Sequence, residues 1–177
     1  MKPFIGASSF ISAPTILEFL AAILIMSKVS SQNNPPASGV AFLITDLANR
    51  SYGKLVARKI VYIGFAIGVS FTFLFSTNFT DLISLRIAIG SGTAFLFAQL
   101  LDVQIFDNLR KKKWFIAPLT SSIIGSIVDT FLFFSISFYA TGVPWVTLLL
   151  GDLTVKIIVA LLMLIPFRIL FKTLKPV

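Results

Sequence analysis

The chain has 177 residues, 56% of them hydrophobic and 14% aromatic, with 19 Phe and a formal net charge of +8. So much apolar material leaves too little polar surface for a water-soluble domain, and at this length no separate catalytic module is expected. Neither Cys nor His occurs, which excludes disulfides, thiol chemistry and the commonest metal ligands; no metal or other cofactor is expected.

Six apolar segments run along the chain, at approximately 4–27, 37–53, 58–77, 82–107, 114–140 and 145–171. Each approaches the roughly 20 residues that cross a bilayer at about 1.5 Å per residue. The expected fold is therefore all-α: one polytopic membrane domain over residues 1–177 with six transmembrane helices. The first segment has no A-x-A-like cleavage site after a short apolar run, so it is expected to remain as a helix, with Glu18 inside it. Asn33-Asn34-Pro35-Pro36 then breaks the pattern.

The second segment is short and carries Asp46, Asn49 and Arg50 towards its inner end. The fourth has Arg86 near its outer end and Gln99 and Asp102 in its inner third. Asp129 falls about 15 residues into the fifth, close to the bilayer middle. In the sixth, Asp152 and Lys156 are four apart and share a helical face. Trp114 and Trp145 stand at segment starts, where amphipathic rings favour the headgroup region.

The basic residues fall on alternate sides. Lys54, Arg58 and Lys59 follow the second segment, Arg110 to Lys113 follow the fourth, and Lys172 and Lys175 follow the sixth. All share a side with Lys2, whereas the opposite loops offer Lys28 and Asp81. By the positive-inside bias both termini are expected in the cytoplasm. Basic clusters beside apolar segments point to anionic lipid headgroups rather than to nucleic acid.

Ionisable groups at membrane depth are costly and are the natural functional candidates. Asp46/Arg50 and Asp152/Lys156 have a spacing that serves bundle stability and function equally well. Asp107 suits a helix end, and Arg168 and Lys172 can snorkel to headgroups. Asp129 differs, because no basic residue lies within a turn of it on its own helix. It must be protonated, paired across helices, or open to a water-filled cavity. Gly90-Ser91-Gly92-Thr93 and Ser121-Ser122-Ile123-Ile124-Gly125-Ser126 suit close helix packing and make a homodimer conceivable. No Walker loop is present. Paired intramembrane aspartates also raise an aspartyl hydrolase, but Lys156 beside Asp152 opposes the shared proton such chemistry needs. A purely structural membrane subunit is the remaining competitor.

Several strings then coincide in order and spacing: Phe42-Leu43-Ile44-Thr45-Asp46-Leu47-Ala48-Asn49-Arg50, Ala98-Gln99-Leu100-Leu101-Asp102-Val103, Ile105-Phe106-Asp107-Asn108-Leu109-Arg110, Trp114-Phe115-Ile116-Ala117-Pro118, and Val128-Asp129-Thr130, with Asp152 and Lys156 in the sixth segment. Over about residues 38–172 the chain resembles the queuosine precursor transporter family, also called the vitamin uptake transporter family. The resemblance implies a bacterial inner-membrane importer of 7-deazaguanines, 7-cyano-7-deazaguanine or its aminomethyl relative, for tRNA modification. It also implies six helices distantly like the substrate-binding subunits of energy-coupling-factor importers, usually working without ATPase partners. A subunit that needs a separate energising complex is the alternative. On this reading Asp129, Asp152, Lys156, Gln99 and Asn49 would hold the base, and Asp46, Arg50, Asp102 and Arg86 would line the path or gate. The expected partners are a nucleobase and membrane lipids, with no direct nucleic-acid contact.

Overall fold

The computed structural model describes residues 35–72, 74 and 79–173. The first expected span, with Glu18, lies outside them. Five helices are described: α1 (Pro35–Tyr52), α2 (Lys54–Phe71), α3 (Leu82–Leu109), α4 (Ile116–Phe138) and α5 (Trp145–Thr173). No strand occurs among the described residues. By length and composition α3, α4 and the Trp145–Leu170 part of α5 can cross a membrane; α1 and α2 have 18 residues each, or about 27 Å at the helical rise.

Local chemistry explains the boundaries. Pro35 opens α1 from within the expected break, because the N–H that proline lacks has no helical acceptor at a first-turn position. Gly53 turns α1 into α2 in a single residue with φ of 83°, and its N–H donates to the Asn49 carbonyl at 3.0 Å. That tight turn, which a residue with a Cβ would resist, lets α2 begin at Lys54 rather than at the expected 58. Asp81 caps α3 by accepting from the backbone of Ile83 (3.1 Å) and Ser84 (3.2 Å).

The packing departs from that of a water-soluble protein, with many polar groups inside the apolar core and large apolar side chains outside. Thr45, Asp46, Asn49, Gln99, Asp102, Ser121, Asp129, Thr130 and Lys156 are buried, whereas Phe97, Phe131, Leu162 and Ile165 lie exposed on the outside. Large apolar side chains on the perimeter, with polar groups kept inside, suit a lipid surrounding. The shortest helices include the most central one: α1 packs against all four other described helices, while α2 packs against α1 and α3. This placement buries the α1 polar face.

The basic segments meet at one end of the bundle. Arg50 Nη1 donates to the Arg110 carbonyl at 2.8 Å, Arg58 Nη2 to Gln104 Oε1 at 3.1 Å, and the Arg168 guanidinium lies 5.0 Å from the Trp114 ring centre. The α1–α2 turn, the α3–α4 loop and the end of α5 therefore share a side, the one expected to face anionic headgroups. At the opposite end Arg86 reaches from α3 to the Ile136 and Tyr139 carbonyls, at 3.1 and 2.8 Å, and covers the C-terminus of α4.

α3 and α4 form the most extensive pairing, and glycines let them approach closely: a Cβ added at Gly125 would lie 3.5 Å from the Ala98 carbonyl. At Gly90 an added Cβ would overlap Ser137 Oγ and press on Ile136. Gly90→Val is accordingly expected to destabilise the bundle by about 1–3 kcal/mol, seen as a lower melting temperature of the detergent-solubilised protein; unchanged melting would contradict this close contact.

Candidate functional site

Two polar clusters occupy the interior. The first joins α4 to α5. Lys156 Nζ lies 3.0 Å from Asp129 Oδ2 and 2.5 Å from Asp152 Oδ2. It also donates to Thr130 Oγ1 at 2.9 Å, and that hydroxyl donates onward to Asp152 Oδ2 at 2.7 Å. Of the three possibilities open to Asp129, cross-helix pairing is the one observed. Asp152 and Lys156 meet because they are one turn apart on α5; Asp129 and Thr130 meet them because adjacent positions on α4 face that turn. Lys156 and Asp129 are 7% and 3% exposed, so their mutual attraction offsets a large cost of leaving water.

The second cluster joins α1, α3 and α4. Ser121 Oγ donates to Asp46 Oδ1 at 3.4 Å, and the Asp46 and Asp102 side chains lie within hydrogen-bonding reach of each other. Asn49 Nδ2 donates to the Val103 carbonyl at 2.8 Å. Thr45 Oγ1 lies 2.9 Å from the Phe42 carbonyl and 3.2 Å from Gln99 Oε1. A threonine hydroxyl has one proton; given to Phe42, it leaves Thr45 as an acceptor for the Gln99 amide turned over.

One face of α4 connects the clusters. Ser121, Gly125 and Asp129 follow one another at four-residue intervals, as do Ser122, Ser126 and Thr130, and all are buried. Eight residues separate Ser121 from Asp129, about 12 Å along the helix. The stripe thus carries small and polar residues from one cluster to the other.

The structure groups Asp129, Asp152 and Lys156 together and places Gln99 and Asn49 in the other cluster, beside Asp46 and Asp102. Arg50 and Arg86 belong to neither: their guanidinium groups hold backbone carbonyls at opposite ends of the bundle. Thr130 and Ser121 were absent from the expected site set. Their signal in the sequence is the four-residue spacing to Ser126 and Gly125, which marks them as part of the Asp129 face.

Every residue of both clusters lies within the stretch that matches known proteins. Residues 37–171 match the family model described as "Putative vitamin uptake transporter". The chain belongs to this family. It is 38% identical over 145 residues to a Haemophilus influenzae protein named "Probable queuosine precursor transporter", covering 71% of this chain and 61% of that one. It is 28% identical over 144 residues to the Escherichia coli "Queuosine precursor transporter", covering 71% and 65%. With a Bacillus subtilis "Probable queuosine precursor transporter" the identity is 28% over 162 residues, covering 78% and 70%. The chain thus spans about three fifths to two thirds of the length of the first two relatives. No solved structure matches it at a significant level.

Proposed function

We propose that this protein is a membrane carrier, not an enzyme, that imports 7-deazaguanine precursors of queuosine across the bacterial inner membrane. The observation that carries the reading is the similarity to relatives named for queuosine precursor transport, together with the family match over residues 37–171, a stretch that includes every buried ionisable group among the described residues. The full topology has six spans with both termini in the cytoplasm, in an arrangement like that of energy-coupling-factor binding subunits.

The Lys156 cluster is the base-binding site. A 7-deazaguanine presents neighbouring N–H donors on its Watson–Crick edge, and a carboxylate accepts two of them in parallel. Without cargo, Lys156 bridges Asp129 and Asp152. Cargo entering between α4 and α5 takes the Asp129 carboxylate, while Lys156 stays with Asp152 and Thr130. Exchanging one buried partner for another avoids stranding a charge, so binding does not meet the full desolvation cost. Gln99 and Asn49, at the far end of the stripe, offer amides to the base on its way inwards. The Asp46/Asp102 region lies along that route, and Arg50 and Arg86 hold the helix ends between which the bundle rocks.

The test is rescue of queuosine in tRNA. The chain is expressed in bacteria that neither make nor import the precursor, each 7-deazaguanine is supplied at low concentration, and modified tRNA is resolved on a boronate gel. Rescue is expected for at least one 7-deazaguanine. Absence of rescue with the protein present in the membrane, together with precursor binding by the purified chain, would instead favour a subunit that needs a separate energising complex.

A further inference from the structure

We propose that Asp46 and Asp102 form a proton-binding site at the junction of α1, α3 and α4, with one proton shared between the two carboxyls. Their side chains lie within hydrogen-bonding reach of each other and are 2% and 0% exposed. Both Asp102 oxygens are buried without a hydrogen-bond donor at ordinary length. The nearby hydroxyl, Ser121, is 3.4 Å from Asp46 Oδ1 and is also within 3.3 Å of the Pro118 carbonyl, so its single proton cannot serve every acceptor. Two bare carboxylates side by side out of water repel; a proton between them converts that contact into a short hydrogen bond.

The surrounding charges are committed elsewhere. Neither aspartate makes an ion pair among the described residues. On α1, Arg50 donates to the Arg110 carbonyl, and on α2, Arg58 donates to Gln104. On α3, Arg110 lies 3.6 Å from Asp107. On α5, Lys156 is held by Asp129 and Asp152, and Arg168 lies over Trp114. The pair also has a space beside it through which a proton can be relayed. Beside Asp46 runs a crevice between α1, α4 and α5, bounded by Ser122, Met163 and Phe167 among others, with about 10 Å³ open to the centre of a water-sized sphere. That is room for about one water, enough to pass a proton to or from the pair.

If the protein is the importer proposed above, this proton is the coupling ion. It enters from outside, is held by the pair, and leaves to the cytoplasm as cargo moves, with the α4 stripe joining it to the Lys156 cluster.

The experiment has two arms. Infrared spectra of the purified full chain should show the carbonyl stretch of a protonated carboxylic acid, shifted in D₂O. The band should vanish in Asp102→Asn and in Asp46→Asn and persist in Asp129→Asn. Asparagine has the shape and a donor of the protonated acid, so these variants should fold. In liposomes, uptake of 7-cyano-7-deazaguanine should rise several-fold with an acidic exterior, and that response should be lost in Asp102→Asn. A wild-type spectrum without the band, or a band insensitive to both substitutions, overturns the site. Uptake driven by sodium, or indifferent to the proton gradient, overturns the coupling role. A band that follows the two aspartates, with no uptake of any precursor, supports the proton site and counts against the importer reading alone.

Discussion

Lys156→Met is expected to be the most damaging single substitution in the described bundle. The ammonium stands between Asp129 and Asp152 and also anchors the Thr130 hydroxyl. Methionine keeps the length of the side chain and removes the charge, leaving two carboxylates facing each other in the α4–α5 interface. Breaking a buried pair by deleting one partner costs about 3–5 kcal/mol, a large fraction of the roughly 5–15 kcal/mol that holds a typical domain together. The expected readout is loss of the monodisperse peak after detergent extraction, or a large drop in melting temperature. Adding Asp129→Asn to Lys156→Met should restore part of the loss, since it removes one uncompensated charge. If the single and double variants were equally unstable, or the single variant melted like the parent, the lysine would not be holding α4 to α5.

Asp129→Asn should separate binding from folding. Asparagine retains a carbonyl oxygen that can accept from Lys156, and Asp152 still balances the ammonium, so the stability loss should be modest. For a cargo that donates two N–H groups to a carboxylate the change is severe, because the asparagine amide meets one of those donors with a donor of its own. A hydrogen bond to a charged group contributes about 1.5–3 kcal/mol, which predicts a roughly 10- to 100-fold weaker apparent affinity for precursor. In the tRNA rescue assay the variant should require correspondingly more precursor at equal membrane expression. Normal rescue at low precursor would remove Asp129 from the binding site. A variant that never reached the membrane would be read through direct binding to whatever protein can be purified.

The helices were legible in the chain because apolar runs and caps are local properties. The fourth, fifth and sixth expected segments agree with α3, α4 and α5 to within a few residues, and Trp145 stands at a helix start in both. The α1–α2 turn was less legible, because the conformational freedom of Gly53 compresses into one residue what a charge-rich stretch suggests is a loop. The i, i+4 spacing was informative only where the partner stays on the same helix. It brought Asp152 to Lys156. At Asp46 and Arg50 the same spacing was a poor guide, since Asp46 turns to Ser121 and Asp102 while Arg50 reaches the Arg110 carbonyl.

By itself, then, the amino-acid sequence determined the class of the protein, its principal helices, the end of the bundle that gathers positive charge, and its family. Each of these depends on hydropathy, periodicity or short strings that neighbouring residues carry together. The tertiary structure decided which polar groups meet. Asp129 reaches Lys156 across 27 positions, Asp46 meets Asp102 between different helices, and α1, short and polar, lies at the centre. Those contacts arise because each helix must bury the polar face that lipid cannot solvate, and the partner for that face is chosen by the packing of all the helices at once.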